Sequence, residues 1–329
     1  LGGRFLLRYA IASALLAACF ASAAVDAQAD PPKKIRFLLD WYPQAETGGY
    51  ICALVKGYYK DAGLDVEILP ANPSIPAGNA VIAGTADISM STEPDVLLNR
   101  QRGLPFQCVM ATMQHDPKAV MVHAEDAVKD FPDLEGRAIA VAPGGAWFLY
   151  IVKKYHLQRV QERRLTLGVA NFLEDPTYIQ ENFVTSEPYA CLQQGVKVRS
   201  LLISGSGYDP YRVVFTTDQF IQQNPAAVQA FVTASIKGWQ TYLVDPAATD
   251  EEIKKRNPQM TQGQLDFSRK TLIDGHFITG FPEKGEAVGL LDSARFESQD
   301  KIMVGLGLVP PDFDFHTAFT TQFCRPPAK

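Results

Sequence analysis

Five cysteines and five histidines in 329 residues leave little material for metal chemistry. The cysteines stand at 19, 52, 108, 191 and 324 with no CxxC. The histidines stand at 115, 123, 156, 276 and 316 with no HxxxH, so the common zinc and iron–sulfur spacings are missing from the sequence. No GxSxG, phosphate-binding loop or dinucleotide glycine fingerprint occurs either. Together these absences argue against a hydrolase, kinase or dehydrogenase, and no catalysis, metal or cofactor is expected. Positive charge is not in excess: 31 Lys and Arg face 36 Asp and Glu, a net charge of −5, without any basic cluster. Nucleic acid is therefore a poor partner. Beyond the first thirty residues no apolar run approaches the ~20 residues that a spanning helix needs. Low-complexity linkers and repeats are also missing.

What remains is the composition of a globular protein, 47% hydrophobic and 20% charged, with room for two domains. The first 29 residues read as a secretory leader. Arg4 and Arg8 give a positive flank, Ile11 to Phe20 is apolar, and Ala27-Gln28-Ala29 supplies the small-x-small cleavage pattern. Leu16-Ala17-Ala18-Cys19 resembles a lipoprotein processing box and offers lipid attachment at Cys19 as the minority route. The expected address is the periplasm. There a disulfide is permitted, although spacing assigns none among Cys52, Cys108, Cys191 and Cys324, and buried free thiols fit equally.

From Lys33 onward strand and helix alternate. Ile35–Leu39, Leu64–Leu69, Ala86–Met90 and Phe106–Met110 read as strands. Helices are expected after Gly48-Gly49, over Ala77–Ala83, and from Ser91-Thr92-Glu93-Pro94, which offers a hydroxyl cap and an early proline. This order favours a largely parallel sheet. A second block follows, with strands at Ala119–Val122, Ala138–Val141 and Arg199–Ile203 and a helix over Trp147–Tyr155. Arg212–Thr216 reads as a returning strand. Helices are then expected over Pro225–Leu243, Ala248–Arg256, Gln262–Ile273 and Ala294–Leu306. The implied architecture is two α/β lobes with an interlobe cleft. Lobe I would comprise residues 30–115 and 212–329, and lobe II residues 116–211 would be inserted into it.

Several segments in order carry a family resemblance. Leu39-Asp40-Trp41-Tyr42-Pro43, Gly57-Tyr58-Tyr59 and Gly63-Leu64-Asp65-Val66-Glu67 are followed by Gly84-Thr85-Ala86-Asp87 and Glu93-Pro94-Asp95. Asp133-Leu134-Glu135-Gly136 and Thr185-Ser186-Glu187-Pro188-Tyr189 complete the series. The chain resembles the periplasmic solute-binding proteins that include the pyrimidine binder of thiamine salvage, with alkanesulfonate, taurine and nitrate binders more distant. The resemblance implies the type II periplasmic-binding-protein fold and delivery to an ABC permease and its ATPase; a monomer is expected. In the thiamine-precursor branch aromatic side chains sandwich a flat heterocycle and an acid bonds its ring edge, which implies a pyrimidine-like or other nitrogen heterocycle as ligand. Two stretches depart from that branch: Gln44-Ala45-Glu46 replaces an asparagine-containing segment, and Val184-Thr185-Ser186 replaces an aromatic-rich one. The eukaryotic pyrimidine synthases that resemble this family use a cysteine-rich iron motif that has no counterpart here. The alternatives are a ligand sensor for a signalling partner, and a binder of a sulfonate or small aromatic acid.

Ligands of open α/β sheets lie beyond the carboxyl ends of the strands, and candidate binding residues follow from that rule. Trp41, Tyr42 and Tyr189 can stack on a planar ring. Glu93 and Glu187 can accept from ligand N–H groups, although Glu93 can serve its own helix N-terminus instead. Asp40 can bind ligand or anchor its loop. Gly144 and Gly145 allow close backbone approach, and Tyr208 lies beside the return crossing with Tyr211. His115 is the lone histidine near the first crossing.

Overall fold

A computed structural model describes residues 31–71 and 76–324; the leader, its cleavage pattern and Cys19 lie outside the described residues. Among the described residues ten strands occur, in chain order: β1 Lys33–Leu38, β2 Leu64–Leu69, β3 Ile88–Thr92, β4 Phe106–Met113, β5 Lys118–His123, β6 Ala138–Val141, β7 Gln161–Arg164, β8 Ile179–Phe183, β9 Val198–Leu202 and β10 Arg212–Thr217. They form two five-stranded sheets, ordered β2-β1-β3-β10-β4 and β7-β6-β8-β5-β9. The protein is thus a pair of α/β lobes, and the chain passes between the sheets at 114–117 and again at 203–211.

Each sheet has four strands running one way, as expected, and one reversed strand. The β2-β1-β3 half is parallel, but β10 runs antiparallel to both β3 and β4. The second sheet repeats the pattern, with β5 antiparallel to β8 and β9. Connectivity causes this: β10 arrives from the other lobe rather than through a right-handed βαβ crossover, so it enters in the opposite direction.

Local sequence explains most elements. In β2 alternate residues Leu64, Val66 and Ile68 are buried while Asp65 and Glu67 face water, the period-two signature of a half-buried strand. The helix Glu93–Gln101 starts where Thr92 Oγ1 accepts from Asp95 N at 3.3 Å. Glycine permits one close helix contact. The helices Gly48–Val55 and Pro225–Tyr242 approach so tightly that a Cβ on Gly238 would lie 2.2 Å from the Gly49 carbonyl oxygen, and one on Gly49 2.1 Å from the Trp239 ring. This packing forms the lobe I core, where Phe37, Tyr50, Phe231 and Trp239 are buried together. The Tyr50 hydroxyl reaches Thr112 Oγ1 at 2.6 Å, so its polar end is satisfied. Cys52, Cys108 and Cys191 are buried free thiols, and Cys324 is buried as well.

Candidate functional site

A cavity of about 240 Å³ lies between the two lobes. Lobe I supplies Asp40 and Trp41 after β1, then Gln44, Glu46, Met90, Met113 and Arg212. Lobe II supplies Ala142 after β6, Leu165 and Leu167 after β7, Glu181 to Phe183 at the end of β8, and Glu187 at the start of the helix Glu187–Gln193. These segments meet because parallel strands end on the same side; Arg212 joins them because β10 is reversed and begins there. Two further hollows continue the cleft. One, of about 350 Å³, is bordered by Trp41, Tyr42, Thr92, Asp95 and Arg212. The other, of about 220 Å³, is bordered by Asp95, Lys118, Gly144, Gly145 and Tyr208.

The cations around the cavity are already engaged. Arg212 donates to Asp40 at 2.5 Å, with its guanidinium carbon 5.2 Å from the Phe183 ring centre. Lys118 Nζ lies 2.7 Å from Glu181 Oε1, and Glu181 Oε2 accepts from Ala142 N at 3.0 Å and Trp147 Nε1 at 3.2 Å. Glu181 is therefore a fixed, charge-paired post. Glu46 and Glu187 differ. Burial pushes Glu46 up to about 7, and burial also raises Glu187 above the usual carboxylate range. Glu187 Oε2 accepts from Phe183 N at 2.9 Å, while Glu46 Oε1 is buried without a partner. The Oδ1 of buried Asn182 is likewise unpartnered. Beside these polar groups stand exposed apolar faces: Trp41 is 40% exposed, and its ring centre lies 5.5 Å from that of Tyr42 in an edge-on arrangement.

The residues expected from sequence are distributed as follows. Asp40, Trp41 and Glu187 border the central cavity, Tyr42 the second hollow, and Gly144, Gly145 and Tyr208 the third. Tyr208 is buried, its ring 5.4 Å from that of Tyr150. Glu93 and Tyr189 border none of the three. Glu93 is 1% exposed, accepts from Tyr211 N at 3.0 Å and is pushed up to about 8 by burial, so it serves the base of the return crossing. Tyr189 packs its ring 5.4 Å from Phe267 instead, because its helix turns that face toward the helix Gln262–Asp274.

Sequence reasoning passed over Glu46, Glu181, Asn182, Phe183 and Arg212 as site residues. The sequence carried a partial signal for two of them. Glu46 sits in the stretch that departs from the thiamine-precursor branch, and Arg212 opens the return strand. Glu181 and Asn182 read as ordinary strand polar residues until the second sheet is assembled.

Residues 44–249 match the family model described as NMT1/THI5 like, and the chain belongs to that family. It is similar to the riboflavin-binding protein RibY of Chloroflexus aurantiacus, 25% identical over 308 residues, covering 88% of this chain and 86% of that protein. It is similar also to the formylaminopyrimidine-binding protein of Halalkalibacterium halodurans, 24% identical over 247 residues and covering 72% and 74%. The relatives include a Saccharomyces cerevisiae protein named 4-amino-5-hydroxymethyl-2-methylpyrimidine phosphate synthase THI11, 25% identical over 251 residues and covering 69% and 72%. Among solved structures, the periplasmic aliphatic sulphonate binding protein SsuA of Escherichia coli superposes with a TM-score of 0.63 at 15% identity, covering 87% of this chain and 96% of that one. That likeness shows the fold, the type II arrangement of two lobes.

Proposed function

We propose that this protein is the extracytoplasmic solute-binding component of an ABC importer, and that it holds a flat nitrogen heterocycle, pyrimidine-like or larger, between its lobes. One observation carries the reading: an open-faced tryptophan and unpartnered buried acceptors from both lobes converge on one cavity. An aromatic face supplies stacking worth about 1–3 kcal/mol per base-like ring, and buried acceptors without donors favour a guest that brings N–H groups. The printed functions of the bacterial relatives, a riboflavin binder and a formylaminopyrimidine binder, support the same ligand class. Lobe II, residues 116–211, would close onto lobe I by bending at the two crossings, the usual motion of hinged binding proteins. A periplasmic address, an ABC permease with its ATPase, and a monomeric binding subunit complete the reading.

Conversion rather than capture is the second reading, favoured by the yeast relative named as a synthase. A thermal-shift panel of pyrimidines, flavins, sulfonates and nitrate, followed by mass spectrometry of the recovered compound, separates the two. Stabilisation by a heterocycle recovered unchanged is expected. Recovery of a modified product, or a response to sulfonates alone, would overturn the proposal.

A further inference from the structure

The cavity is imbalanced in charge, and that imbalance selects among heterocycles. The inference rests on the binding reading above. Six charged groups line or brace the cavity: Asp40, Glu46, Glu181, Glu187, Lys118 and Arg212. Both cations are spent, Arg212 on Asp40 and Lys118 on Glu181. Glu46 and Glu187 are left, and among the described residues neither forms an ion pair. Glu46 is 7% exposed and Asn182 4%; the Thr185 hydroxyl lies beside Glu46, yet neither Glu46 Oε1 nor Asn182 Oδ1 has a hydrogen bond of ordinary geometry. From these facts we propose that the cavity selects a cationic planar ligand, one with an amidinium-type edge whose N–H groups face Glu46, Asn182 and Glu187.

A buried carboxylate without a counter-ion is costly, and the protein relieves that cost either by protonating it or by receiving a cation. The raised pKa of Glu46 follows the first route; burial is its largest cause, and the neighbouring Glu187 adds to it. A cation would take the second route and displace the proton. The groups that face Glu46 are the Thr185 hydroxyl, which is a neutral donor, and Glu187, Asp40, Arg212 and the Tyr242 phenol; the one cation among them is the one bound to Asp40. A sulfonate, nitrate or carboxylate would place like charge against two carboxyls, and neither Arg212 nor Lys118 could meet it without releasing its present partner. The geometry therefore separates this cavity from an anion receptor, although the fold is shared with one.

Ionisation gives the proposal a direction with pH. Glu46 is ionised above about 7 and neutral well below it, so a permanently protonated amidinium should bind most tightly at mildly alkaline pH and release a proton from Glu46 near neutrality. A neutral planar amide should show little such dependence.

Three flat probes of nearly equal shape test this: benzamidine, benzamide and benzoate, titrated by calorimetry into the mature protein. Benzamidine should bind at least about tenfold more tightly than benzamide at pH 8, a difference of ~1.4 kcal/mol, with benzoate weakest. Its affinity should fall by about tenfold or more between pH 8 and pH 5. Glu46→Gln should abolish both the preference and the pH dependence; should that variant fold poorly, the wild-type pH profile decides. Benzamide or benzoate matching benzamidine at pH 8, or a flat pH profile, overturns the charge assignment while leaving heterocycle binding intact. Benzamidine failing where a neutral or anionic heterocycle binds overturns it as well. Failure of every probe and every heterocycle of the thermal-shift panel refutes the binding reading itself, and the charge assignment falls with it.

Discussion

His115 Nδ1 lies 2.6 Å from Asp209 Oδ2, and this contact joins the two chain segments that pass between the sheets. On its other side His115 Nε2 lies 2.9 Å from Glu286 Oε2. Arg295 closes the cluster by donating to the Asp209 carbonyl at 2.9 Å and stacking 3.9 Å over the Tyr211 ring. Burial opposes protonation of His115, but the two carboxylates outweigh it and its pKa is raised above 6.5. The bracing is thus fully present below about 6.5 and is lost as pH rises through the raised value. His115→Asn should therefore lower the melting temperature at pH 6, by an amount equivalent to about 1.5–3 kcal/mol for a charge-assisted bond. At pH 9 wild type and variant should converge. Equal losses at both pH values would show that the ring matters only for packing.

Trp41 should carry binding energy without carrying stability. It is 40% exposed and packs only edge-on with Tyr42 among the described rings. Trp41→Ala should weaken a stacked heterocycle by about 1–3 kcal/mol, read by calorimetry, with a denaturation midpoint close to wild type. Unchanged affinity would remove Trp41 from the site.

Glu181 should behave in the opposite way. It holds Lys118 and takes two further hydrogen bonds from Ala142 N and Trp147 Nε1. Glu181→Ala leaves a half-buried ammonium and two donors unmet, a change that costs about 1–3 kcal/mol. Urea denaturation should show it. A variant as stable as wild type would mean that water replaces all three contacts.

Gly238 is a packing requirement rather than a flexible joint. Its added Cβ would meet the Gly49 oxygen at 2.2 Å and the Ala53 Cβ at 2.8 Å. Gly238→Ala should cost about 1–3 kcal/mol by overpacking, despite the better helix propensity of alanine. A gain in denaturation midpoint would show that the two helices separate easily.

Much of this architecture was legible in the sequence, for identifiable reasons. The period-two pattern of Leu64–Leu69 and the cap at Thr92 are local signals, and the elements they mark occur where expected. The family resemblance, resting on segments such as Asp40-Trp41-Tyr42-Pro43 and Ser186-Glu187-Pro188, agrees with the family match. Strand β7, Gln-Glu-Arg-Arg, was not legible because it is an exposed edge whose four side chains all face solvent. The mixed direction of the sheets was also hidden, since it depends on where the return crossing enters. Glu93 shows the limit for single residues: its motif reads as a binding acid, yet its carboxylate is occupied by Tyr211 N, a partner 118 positions away. Glu46 shows the converse, a residue in an unremarkable turn that acquires meaning only when β8 from the other lobe stands opposite it.

The most direct test is a crystal structure of the mature protein with the tightest-binding heterocycle of the panel. The account predicts one ligand molecule between the lobes, touching Trp41 and Glu46 on one side and Asn182 or Glu187 on the other, with the lobes closed about the two crossings. A ligand lying wholly on one lobe, or outside the cavity, would contradict it.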